Sequence, residues 1–162
     1  MRHPEALGYL RRSQIYTALD GFRRPYEFRW SGELIHRLNL LVNSYDVEWR
    51  YHSTWWKDVD RLNAGIQAKA IGSLEWDAET GITAANYFEV RGTRKYAALL
   101  EHVNQHNRPF IWTDDEATVF YKKEDFVVPH LVLPVTSNYG LLRPHIESIE
   151  AFAREHAAFR AE

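Results

Sequence analysis

The stretch Arg108-Pro109-Phe110-Ile111-Trp112-Thr113-Asp114-Asp115-Glu116 constrains this chain most, because an apolar run bounded by proline breaks abruptly into three consecutive carboxylates. A short apolar segment of this kind is expected to be a buried central strand with its acids emerging at the carboxyl end. In open α/β sheets that end is where ligands sit. Side chains alternate along a strand, so Asp114 and Asp115 are expected to point in opposite directions, one towards a metal and the other into a loop. A plain strand running into an acidic turn fits the same residues.

At 162 residues the chain has the length of a single domain with a proper core, and one domain spanning 1–162 is the expectation. Charged residues make up 26% and the formal net charge is -2, which excludes a polycation built to coat nucleic acid. The absence of cysteine removes disulfides, thiolate chemistry and cysteine-ligated zinc, and fits a cytoplasmic protein. No apolar run reaches the length of a membrane span, and Arg11, Arg12, Ser13 and Gln14 interrupt any signal-peptide core. The seven histidines between His36 and His156 show no zinc-binding spacing; the His102/His106 pair lacks a third ligand nearby.

Residues 1–30 are the least readable, with a strand over Ile15–Leu19 ending at Asp20-Gly21 and a turn-prone connection through Arg23, Arg24 and Pro25. From Ser31, a suitable N-cap, Leu34, Ile35, Leu38, Leu41 and Val42 recur at helical spacing, and that helix should end near Asn43-Ser44. Val47–His52 alternates like a strand and leads through Ser53-Thr54 into a helix carrying Val59, Leu62 and Ile66. Residues 71–91 are turn-rich around a strand from Ile82 to Val90, a hairpin excursion from the main sheet. Thr93 can cap a helix burying Tyr96, Leu99, Leu100 and Val103, which hands the chain to the acidic strand. A strand over His130–Val135 and a last helix burying Ile146, Ile149, Phe152 and Ala153 complete an α/β alternation.

Three pieces of this pattern carry chemistry: Ser53-Thr54 after a strand, Lys95 on a helix, and Asp114-Asp115. A hydroxyl, an ammonium and carboxylates are what a phosphoryl group with a hard cation requires. Helix amides beside the hydroxyl can donate to phosphate oxygens. Each residue also has an ordinary role, Ser53 as a helix cap and Lys95 as a solvated surface lysine.

These residues resemble the haloacid dehalogenase (HAD) superfamily, and in particular the small HAD domains of RNA-repair proteins. The resemblance runs from about residue 30 to the end and rests on three places. They are His52-Ser53-Thr54-Trp55, Lys95 ahead of the Arg108–Glu116 strand, and the loop Asn138-Tyr139-Gly140-Leu141-Leu142-Arg143-Pro144-His145. It implies an α/β three-layer Rossmann-like sandwich with a mostly parallel central sheet. It also implies Mg²⁺-dependent hydrolysis of a phosphomonoester, with a phosphorylated small molecule, a nucleotide or a nucleic-acid end as substrate. Ser53 would bind phosphate, with Thr54 as fallback. Lys95, or Arg94 beside it, would steady a phosphoaspartyl intermediate, and Asp114 and Asp115 would be the metal acids.

The first family motif departs from the pattern. An Asp-x-Asp is expected on the first strand, and the nearest match is Ala18-Leu19-Asp20-Gly21. Asp20 corresponds to the second aspartate, the general acid/base, while Ala18 stands where the nucleophile belongs and has no oxygen to attack phosphorus. A domain that has lost the chemistry, a chain beginning downstream of an intact motif, and a nucleophile supplied from elsewhere all fit this departure. The alternative to a phosphatase is a catalytically inactive HAD-like domain that binds phosphate groups, nucleic acid or a protein partner.

Overall fold

The computed structural model describes residues 3–8, 10–17, 24–53, 58–136 and 139–160. They form a mixed α/β structure in the order β1 (Leu10–Thr17), β2 (Arg24–Ser31), α1 (Gly32–Ser44), β3 (Arg50–Tyr51), α2 (Val59–Ile66), β4 (Gly72–Ser73), α3 (Tyr87–His106), β5 (Phe110–Asp114), α4 (Ala117–Phe120), β6 (His130–Pro134) and α5 (Arg143–His156). Among the described residues the strands pair two by two: β1 with β2 antiparallel, β3 with β4 parallel, and β5 with β6 parallel. The chain divides into two compact units, one of residues 1–51, 55–73 and 141–162, the other of 52–54 and 74–140. No helix among the described residues is long and apolar enough to cross a membrane.

In the first unit, Ser31 ends β2 and caps α1, its hydroxyl oxygen accepting from the Leu34 amide at 3.1 Å and its proton going to the Leu7 carbonyl. The cap satisfies an amide that an isolated helix would leave without a partner, which fixes where strand becomes helix. The expected helix is therefore present with its expected end at Ser44. Ile35 of α1 packs with Leu62 and Ile66 of α2, and Phe28, Trp30, Trp49 and Tyr51 close around them. Helix α5 starts with Pro144 in its first turn, buries Ile146, Ile149 and Ala153, and is tied to α1 by an Arg37–Glu150 ion pair. Two expectations change here. Arg24-Pro25 begins β2 rather than a turn, because the strand's register with β1 runs out to Thr17↔Arg24. Of the Val47–His52 strand only Arg50–Tyr51 pairs. The Ala18–Gly21 motif, Asp20 included, lies outside the described residues.

The second unit is built on β5 and β6, in register from Phe110↔His130 to Asp114↔Pro134, with Pro134 at the strand end where its missing amide does least harm. Trp112 of β5 is buried with Leu99 and Val103 of α3, Ala117 of α4 and Phe126. The expected strand over Ile82–Val90 is absent. The chain turns at Thr83–Asn86, where the Thr83 amide donates to the Asn86 side chain at 2.7 Å, and α3 begins at Tyr87. Thr93 is thus an exposed residue of the second turn, not a cap. Gly92 is a packing residue: a Cβ there would collide with the Phe120 ring. Helix α3 ends where expected, with Asn107 in the left-handed conformation at φ 49°.

Candidate functional site

Along α3, Lys95, Leu99 and Val103 follow one another at four-residue spacing and all three are buried. Leu99 and Val103 meet the Trp112 cluster, so the same stripe that packs the helix carries one ammonium into the interior at its upper end. Asp114 is the last residue of β5, and the alternation that buries Trp112 buries Asp114 two residues later. The two charges meet at the carboxyl end of the strand, Lys95 Nζ to Asp114 Oδ2 at 2.5 Å, with their side chains only 10% and 5% exposed. The other carboxylate oxygen, Oδ1, accepts the Glu116 amide at 2.8 Å. That bond fixes the turn after the strand and orients the carboxylate.

A second pair lies one turn further along α3. Arg91 contacts Glu116 at 2.5 Å, so Arg91 and Lys95 at i,i+4 match Glu116 and Asp114 at i,i+2. The Arg91–Glu116 pair is not saturated, since Arg91 Nε and Glu116 Oε2 are buried without hydrogen-bond partners.

The third contributor is His52, which follows β3 and groups with the second unit. Its Nε2 lies 2.7 Å from the Lys95 carbonyl oxygen. A carbonyl only accepts, so Nε2 carries the proton and Nδ1 is left as an acceptor, buried and without a partner. Burial first, and the Lys95 charge second, push the imidazole pKa down to about 4. His52 is therefore neutral at physiological pH, and it fastens the chain just before Ser53 to the turn of α3 that bears Lys95.

Of the residues expected from sequence, Lys95 and Asp114 are in contact, Ser53 is half-buried next to His52, and Asp115 is exposed in the turn after β5. Lys95 reaches Asp114, whereas its neighbour Arg94 turns to Asp77 at 3.6 Å. Asp20 and Thr54 lie outside the described residues. The Arg91–Glu116 pair and the tie made by His52 escaped the sequence reading. The four-residue spacing of Arg91 and Lys95, set against Asp114 and Glu116, was the available signal. Among the described residues no three His, Cys, Asp or Glu side chains gather as a metal-binding group. The carboxylates at hand are Asp114, offset by Lys95, Glu116, offset by Arg91, and the exposed Asp115.

Chemically, the arrangement holds an ammonium in place and keeps it from water. An ammonium has three donors and Asp114 takes one, leaving two for anionic oxygens. No family model, curated protein or solved structure matches this chain.

Proposed function

We propose that the second unit is the phosphate-handling part of a HAD-like phosphohydrolase, acting on a phosphomonoester with Mg²⁺. The buried Lys95–Asp114 pair at the carboxyl end of β5 carries this reading. Burying two charges costs several kcal/mol of solvation per ion, and a pair of apolar residues of similar size is often at least as stable. A pair kept there in spite of that cost supports a chemical role over a structural one.

In this reading Lys95 offers its remaining donors to the phosphate oxygens, and Asp114 holds the ammonium in position. His52, the residue before Ser53, is tied to the Lys95 carbonyl, and in this reading the Ser53 hydroxyl contacts the phosphate. Mg²⁺ would lean on the exposed Asp115 and keep most of its waters, because both oxygens of Asp114 are engaged, Oδ2 by Lys95 and Oδ1 by the Glu116 amide. When bound it would offset the negative charge of the phosphoryl group. The resemblance gives Asp20 the general acid/base role, and the finer architecture would be the three-layer Rossmann-like sandwich with a mostly parallel sheet. Ala18 favours a second reading, a domain that binds the phosphate group without turning it over, because alanine cannot supply the attacking oxygen.

Hydrolysis of an aryl phosphate by the whole chain, with Mg²⁺ and with a chelator, tests both. Chelator-sensitive turnover that falls about a hundredfold or more in Lys95→Met, and is lost in Asp20→Ala, supports the phosphatase. Phosphate binding without turnover supports the second reading. Neither turnover nor phosphate binding would overturn both. Asp115→Asn is expected to abolish any Mg²⁺-induced rise in Tm, and an unchanged rise would remove Asp115 from the metal site.

A further inference from the structure

Between α4 and β6 the chain passes through Tyr121 and a short turn, Lys123–Asp125, and this connection is held at both ends. On one side the Tyr96 hydroxyl of α3 accepts from the Lys122 amide at 3.1 Å and donates to Asp125 at 2.8 Å, so a single group pins the turn. On the other side stands His130, the first residue of β6. Its Nδ1 lies 2.8 Å from the Val128 carbonyl, which only accepts, so Nδ1 carries the proton and Nε2 accepts from the Tyr121 hydroxyl at 2.7 Å. Phe126 is buried beside Phe110 and His130, with ring centroids 4.9 Å and 5.2 Å away. A surface fixed in this way loses little freedom when something binds to it.

The turn and residues 126–130 line an open groove of about 880 Å³. Val127, which belongs to that lining, is 100% exposed, an apolar side chain that nothing in the chain covers. Lys123 and Glu124, also in the lining, are exposed neighbours of opposite charge. A protruding apolar side chain, a hollow and two opposite charges therefore share one patch. A patch of this composition is its own complement, because a two-fold axis brings residue i against residue j and j against i. An acidic partner would meet Glu124 and a basic partner Lys123, each a like charge, whereas a second copy can match both at once.

We infer that this groove is a contact between two copies of this chain related by a two-fold axis. Val127 of each copy sits in the groove of the other, and Lys123 of each pairs with the partner's Glu124. An apolar centre inside a charged rim is the usual anatomy of such contacts. The patch comes from one connection of the chain, so the dimer is weak and reversible. It is independent of the phosphate reading of Lys95 and stands or falls separately from it.

The test is sedimentation velocity of the whole chain from low to high micromolar concentration. The wild type should pass from monomer to dimer and no further. Val127→Asp should stay monomeric with an unchanged Tm, since the side chain is fully exposed. Lys123→Glu and Glu124→Lys each set like charges against one another and should weaken self-association about tenfold or more. An equimolar mixture of these two variants should dimerise again, because an all-acidic rim then meets an all-basic one. A wild type that is monomeric throughout overturns the proposal and leaves the groove to another partner or to none. Dimers that survive Val127→Asp, species larger than a dimer, or a mixture that associates no better than either variant alone overturn it as well.

Discussion

Two ion pairs each join two elements, one pair of elements distant in sequence and the other consecutive, and they are built for different conditions. Arg37 of α1 and Glu150 of α5 meet with both side chains 21% exposed, the arginine held further into its charged range by its hydrogen bond to Glu150. Water still reaches both groups, the desolvation cost is small, and the net gain is expected to be small as well. Lys95 and Asp114 meet where water is nearly excluded, with Asp114 also accepting from the Glu116 amide. There each charge depends on the other. The difference teaches that the first pair fastens two helices, while the second is a local polarity kept in an interior that could have been filled with apolar side chains.

Removing one partner should separate the two pairs most sharply. Asp114→Asn leaves the Lys95 ammonium buried and uncompensated, and is expected to destabilise by about 3–5 kcal/mol in chemical denaturation. A loss under about 1 kcal/mol would put this pair in the same class as Arg37–Glu150. Next in size comes the apolar stripe that carries Lys95 inwards: Leu99→Ala should cost about 2–4 kcal/mol, and a change under roughly 0.5 would mean that the buried face of α3 is wrongly assigned.

A smaller effect concerns pH. His52 has its pKa lowered from 6.5 to about 4, so the folded chain binds fewer protons at this site than the unfolded chain. Stability should therefore fall as pH drops through the window from 6.5 to about 4 and be unaffected above it. His52→Gln keeps an amide donor for the Lys95 carbonyl but does not titrate, and should flatten that part of the stability profile. An unchanged profile would show that His52 is not buried in its neutral form. The smallest change is expected for Glu150→Gln, below about 1 kcal/mol and shrinking further with added salt.

The sequence was most legible where a local rule and the packing agreed. Ser31 as cap, the Leu99/Val103 stripe and the Phe110–Asp114 strand each follow from periodicity and burial, and each is present. It was silent, or misled, where a residue's role depended on a contact or turn outside its own segment. Gly92 lacks a side chain because Phe120 needs the space, and no local signal reveals a partner that arrives from α4. Tyr87–Val90 alternate as a strand would, yet the turn at Thr83–Asn86 delivers them into a helix. In the candidate site, Lys95 and Asp114 were visible as types in the right order. The tie from His52 to the Lys95 carbonyl was not, since it depends on a backbone atom. Arg91 and Glu116 were readable in principle from their spacing, once Lys95 and Asp114 were taken as a pair.

The most direct measurement is the effect of inorganic phosphate on the Tm of a variant carrying both Lys95→Met and Asp114→Leu. If the pair is kept for binding, the double variant should be about as stable as the wild type or more so, because apolar residues replace two buried charges. It should also lose the rise in Tm that phosphate gives the wild type. A double variant that keeps the phosphate-dependent rise, or one that is several kcal/mol less stable than the wild type, would contradict the account and make Lys95–Asp114 a structural pair like Arg37–Glu150.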